Sequence, residues 1–235
     1  MSKILKQFGL LSIASITLLT PLSNSANAQT TNDTLNNENV SVLNSEVINI
    51  MDDNPVSGVV VKDISREEYV QSIAEDQGLS YKEADTLVAA RTSQMLKEIH
   101  KDQDYSTLST RDIVWRQASW TQAYSKNSSF KAEMNASFEV FVTGSFRQIN
   151  SATVGSILGS GLNTASWAQS NSWKTTKYPV VTATVGVTGK FFSTVNSSTG
   201  VSGGIPGFTI SSSTGRSVTY VSQSMTIQKT FTVDR

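Results

Sequence analysis

The chain has 235 residues, with 19 basic and 19 acidic side chains, one histidine and no cysteine. Disulfides and thiolate metal sites are thereby excluded, and a histidine metal site lacks its second imidazole. The neutral total hides an asymmetry: Gln29 to Asp104 carries 6 Lys/Arg against 15 Asp/Glu, and Tyr105 to Arg235 carries 11 against 4. An acidic front half and a basic back half can attract each other, which is the simpler expectation, or the basic half can meet an anionic partner.

Lys3 and Lys6 precede an apolar run from Gly9 to Thr20, then Pro21 and the small-residue triplet Ala26-Asn27-Ala28. This is the pattern of a secretory signal peptide over residues 1–28, and the run is too short for a spanning helix. The expectation is a secreted, extracellular chain from a bacterium, plausibly Gram-positive. Lipoprotein anchoring is excluded because no cysteine follows the apolar segment. The remaining 207 residues are ample for a hydrophobic core. Residues 29–60 are rich in Asn, Thr, Asp and Glu without helical periodicity, and read as a flexible leader. Within it, the runs Ser45 to Ile50 and Val59 to Val61 can each add an edge strand.

Residues 61–104 predict an acidic helical hairpin. Ser65 and Glu68 form a capping box, Ile64 can staple onto Tyr69, and Gly78 supplies a left-handed stop. Ser80 and Glu83 cap a second helix lined by Ala84, Leu87, Val88, Met95 and Ile99, with His100 in its last turn. The spacing of Ala74 and Gly78 matches that of DNA-binding helix pairs, but the second helix opens with net negative charge, so no nucleic-acid partner is expected.

Residues 105–235 predict a basic antiparallel β-domain. Ile113 to Trp115 and Ser119 to Thr121 belong to one or two strands. Lys131 to Gln148 alternates, with Ala132, Met134, Ala136, Phe138, Val140 and Val142 on one face and Lys131, Glu133, Asn135, Ser137 and Glu139 on the wet one. Tyr178 to Val195 is the organising strand, with Gly186 and Gly189 as candidate bends. Ser217 to Val233 alternates in turn, with Val221, Met225, Ile227, Phe231 and Val233 together. The fold class is therefore α+β, mainly β: a long-stranded antiparallel sheet or β-sandwich preceded by a two-helix hairpin.

Gln148 to Trp173 and Phe191 to Gly215 carry no charge and read as wide Ser/Thr/Gly loops. Plain surface loops are the first reading. Charge-free segments are also the kind that can enter a bilayer as hairpins, which singles out Ile157, Leu158 and Ile205 as membrane-contact candidates.

Catalytic chemistry finds little support. His100 suits a helix terminus better than a triad, and the run from His100 lacks the glycine and bidentate glutamate of a calcium loop. Glu133 and Glu139, on one strand face, stand about 20 Å apart, too far for glycoside hydrolysis. No phosphate-binding loop, cofactor motif or metal site is expected. All four tryptophans, Trp115, Trp120, Trp167 and Trp173, lie in the β-half, where core packing is the first reading. Trp115 and Trp120 should point to opposite faces. Trp167 and Trp173 border a charge-free segment and are the ligand-binding candidates.

Long Ser/Thr-rich amphipathic strands are similar, as a general pattern only, to those of secreted β-rich pore-forming proteins; no motif accompanies the likeness. The expectation is a secreted, non-catalytic protein that binds a cell-surface, wall or matrix polymer through its β-domain. The alternative is a membrane-active, pore-forming or toxin-like protein with lipid as partner. Self-association through long strand edges is a further expectation.

Overall fold

The computed structural model describes residues 46–53, 58–102, 112–196 and 204–234. The signal peptide and residues 29–45 of the leader lie outside these, as does the side chain of His100. In chain order the elements are β1 (Val47–Asn49), β2 (Val59–Asp63), α1 (Arg66–Gln77), α2 (Tyr81–Asp102), β3 (Ile113–Tyr124), β4 (Asn127–Thr143), β5 (Phe146–Ser160), β6 (Ala165–Lys174), β7 (Thr182–Asn196), β8 (Phe208–Thr214), β9 (Ser217–Ser222) and β10 (Met225–Thr232). The protein is α+β and mainly β, with two helices ahead of antiparallel sheets.

Sheet B has the order β2-β3-β4-β5. Sheet A is built around β7, the Thr182–Asn196 core of the organising strand. One edge of β7 pairs β6, and the other pairs β10 and β9 in succession. Then β8 pairs β9, and β1 adds a short parallel strand to β10. The inner faces of the sheets enclose one core, including Phe138, Ile149, Val185, Phe191, Ile227 and Phe231, all fully or almost fully buried.

The helical hairpin caps as its punctuation requires. The Ser65 hydroxyl accepts from the Glu68 N–H at 3.1 Å and Glu68 returns the bond to the Ser65 N–H at 2.7 Å. Gly78 closes α1 at φ 64°, a conformation in which a side chain is strained. Tyr69, Val70, Ile73, Ala84 and Val88 form a second, smaller core with Ile64 and Trp115. Trp115 lies on the face of sheet B opposite the main core, so the layers run sheet A, sheet B, helices. As expected from their odd spacing, Trp120 faces the main core instead.

Three readings change. First, the charge-free segments are strands: Gln148 to Trp173 comprises most of β5 and β6, and β8 lies within the second. Ser, Thr, Gly and Ala contrast too weakly for alternation to show, yet they suit a face that is half wet. Second, β7 does not bend at Gly186 or Gly189; its glycines make room for indole rings, as described below. Third, the last long strand is split. Gly189 pairs Met225 and Phe192 pairs Val221, so one extra residue stands opposite β7. This bulge inverts the faces: Tyr220 and Ser222 point inward before it, Met225 and Ile227 after it, and Val221 is turned out of the core.

Candidate functional site

The two tryptophan candidates separate. Trp167 and Trp173 are six apart and would share a face in a regular strand, but Ser170 is an extra residue in β6. Trp167 therefore pairs Phe191 on the core side, its ring 4.8 Å from that phenyl, and its Nε1 donates to the Ser156 hydroxyl at 2.8 Å. Trp173 pairs Gly186 on the outer face. A Cβ at 186 would stand 2.2 Å from the indole, so the ring occupies the space a side chain there would fill. It is half-buried and open on its other side.

The face around Trp173 is wet and regular. Cross-strand threonines bond hydroxyl to hydroxyl: Thr184 with Thr230 at 3.0 Å, Thr188 with Thr226 at 2.9 Å, and Thr194 with Thr219 at 3.0 Å. Such pairs stiffen the sheet and leave a row of exposed hydroxyls and methyls. Lys190 and Gln228 stand on the same face, both exposed. An aromatic ring in a flat field of hydroxyl and amide groups can stack on the apolar face of a ring while its neighbours exchange hydrogen bonds.

A second polar region was not legible in the sequence. Ser137 and Glu139 share the expected wet face of β4 with Asn135, but the helical hairpin covers them, and Glu139 is 0% exposed. No partner in hydrogen-bonding geometry reaches either carboxylate oxygen, the Tyr69 hydroxyl, the Asn150 Nδ2 or the Trp115 Nε1. Burial pushes the Glu139 carboxyl above its ordinary value, with Arg91, Asn150 and Arg66 opposing. Burial, reinforced by the Glu139 charge, raises the Tyr69 hydroxyl as well. Tyr178 is pushed up to about 12 by burial. Glu139 alternates like its exposed neighbours on β4, so only knowledge of what docks on that face reveals it.

The membrane-contact candidates also divide. Ile157 is 56% exposed, Leu158 packs against the main core, and Ile205 is in it at 6% exposure. Leu162, in the β5–β6 turn, is 42% exposed and was not singled out. The charge asymmetry is spent within the chain. Lys174 pairs Asp76, and Arg116 pairs Asp53 at 2.9 Å and Asp63 at 2.6 Å, each joining the basic half to the acidic one.

No protein-family model, curated protein or solved structure matches this chain.

Proposed function

We propose that this is a secreted, non-catalytic protein that binds a polymer of the cell surface, wall or extracellular matrix through the outer face of sheet A. The observation that carries this reading is Trp173 laid over Gly186 among paired threonines. A polymer of sugar rings offers both the apolar faces and the hydroxyls that such a surface complements, and a flat face suits an extended ligand better than a compact one. Co-sedimentation of the purified protein with insoluble wall polysaccharide tests it. Replacing Trp173 by alanine should weaken adsorption at least about tenfold, as removal of an aromatic anchor does, with unfolding temperature unchanged. Equal adsorption by W173A would overturn the reading.

Membrane activity is the second reading, supported by exposed Ile157 and Leu162 on a hairpin with no charge from Gln148 to Trp173. No helix among the described residues is long and apolar enough to cross a membrane, so strands would have to do it. Dye release from anionic and neutral liposomes tests this reading. Lysine at Ile157 or Leu162 should abolish release; lysine at Ile205 is no test, because it breaks the core.

A further inference from the structure

Two cavities lie along the seam between the helical hairpin and sheet B. One, of about 710 Å³, is lined by Arg91, Gln94, Gln148, Asn150 and Tyr178 among others. The other, of about 330 Å³, is lined by Gln117, Asn135, Ser137, Gly155 and Gln169 among others. The first borders β5 from Gln148 to Ala152 and the second from Thr153 to Ile157. They are two stations of one trough that follows β5 for about 30 Å. Where they meet, two side-chain contacts from the helices pinch it: Arg91 donates to the Ser151 hydroxyl, and Ser72 meets Thr153 at 3.1 Å.

Gly155 stands in the floor of this trough, in mid-strand. A Cβ there would meet nothing within 4 Å, and its φ is not in the left-handed region. Neither packing nor backbone conformation requires glycine, and glycine weakens a strand. Its effect is to keep the floor low. The trough also gathers polar atoms that the fold leaves unpaired: Asn150 Nδ2 and the Tyr178 hydroxyl are buried at the first cavity without a partner in hydrogen-bonding geometry.

The chemistry of the lining names the ligand class. The trough lies over a sheet face, and the main-chain groups of β5 and β4 are engaged with each other along their ladder. A peptide, which docks by main-chain pairing at an open strand edge, is not what this surface offers. Its groups are carboxamides, hydroxyls and a guanidinium, with Tyr178 and Met95 supplying apolar surface. Planar amide and guanidinium groups engage adjacent hydroxyls two at a time. We propose that this trough is a saccharide groove for an extended, polyhydroxylated chain, with the helical hairpin as its far wall. It is separate from the face that carries Trp173 and stands whether or not that face binds polymer.

The test is calorimetric titration of the purified protein with soluble chitotetraose, cellotetraose and maltotetraose. At least one should bind, and Gly155→Trp, which fills the second cavity, should weaken that binding about tenfold or more. Gly155→Ala should leave it within about twofold, because a methyl there meets nothing. Thermal unfolding reports whether Gly155→Trp is folded. A second variant does not depend on it: in a chain without cysteine, Ser72→Cys with Thr153→Cys forms a single crosslink at the pinch. The oxidised form should bind more weakly than the reduced form. Trp173→Ala should bind these oligomers as the parent does. Failure of all three sugars to bind, or equal binding by Gly155→Trp and parent, overturns the proposal.

Discussion

At the residue scale, two glycines of β7 do different work one turn of the pleat apart. A Cβ at Gly189 would sit 2.4 Å from the Trp167 ring and 2.6 Å from the Ala168 carbonyl oxygen, on the core side, where backbone cannot yield. Gly189→Ala should therefore cost about 1–3 kcal/mol, the usual range for overpacking, read from urea denaturation. At Gly186 the obstacle is the half-exposed Trp173 side chain alone, which can swing away. Gly186→Ala should keep most of the stability and lose polymer adsorption. Glu139 makes a further residue-scale prediction. Its carboxyl is raised in the folded chain because burial penalises the charge, so the folded state holds the proton where the unfolded state has released it. Above the folded value the buried charge subtracts stability; as pH falls through that value toward the ordinary 4.5, the subtraction disappears. Glu139→Gln should raise the denaturation midpoint near pH 7 and leave it unchanged near pH 4. An equal rise at both would assign the effect to packing.

At the scale of elements, bulges decide which side chains meet. Ser170 in β6 sends Trp167 inward and Trp173 outward, and Asn150 in β5 places Ile149 and Ala152 on the same core face despite their odd spacing. At the break between β9 and β10 the Ser222 hydroxyl accepts from the Phe191 N–H at 2.9 Å, in place of a ladder carbonyl. That hydroxyl is buried and itself donates to the Gln223 carbonyl at 2.7 Å. Ser222→Ala leaves the Phe191 N–H unsatisfied inside the core and should cost about 1–3 kcal/mol. The capping boxes are exposed and local, so removing one is the milder change, about 1 kcal/mol for Ser65→Ala.

At the scale of the whole molecule, the helical hairpin is an insertion in a β-hairpin. Asp63 at the end of β2 pairs Arg116 near the start of β3, and the Ile64 N–H donates to the Trp115 carbonyl at 3.0 Å. Its two ends are thus neighbours, and no residue of α1 or α2 belongs to the core between the sheets. Replacing residues 65–114 by Asn-Gly, a natural two-residue turn, should leave a β-sandwich that unfolds cooperatively at lower temperature. Loss of the β signal in circular dichroism would show that the helical layer is needed to fold. The face this variant uncovers is already polar, with Asn135, Ser137, Ser151 and Thr153 along it, so exposure to water carries little penalty.

Local chemistry made the α+β class, both helix caps and the long strands legible from the sequence, because capping and period-2 alternation are properties of neighbouring residues. The pairing of Trp115 and Trp120 with opposite faces followed from spacing within an unbroken strand. The identity of Gln148–Trp173 as strands did not, since its residues contrast too little in hydropathy. Nor did the fate of Trp173, which turns on one inserted residue that only the partner strand reveals. The burial of Glu139, Ile205 and Ser137 was decided by what packs over them from distant parts of the chain. Period and caps are short-range and written in sequence; register, bulges and the layer that covers a face come from long-range pairing, and tertiary structure alone sets them.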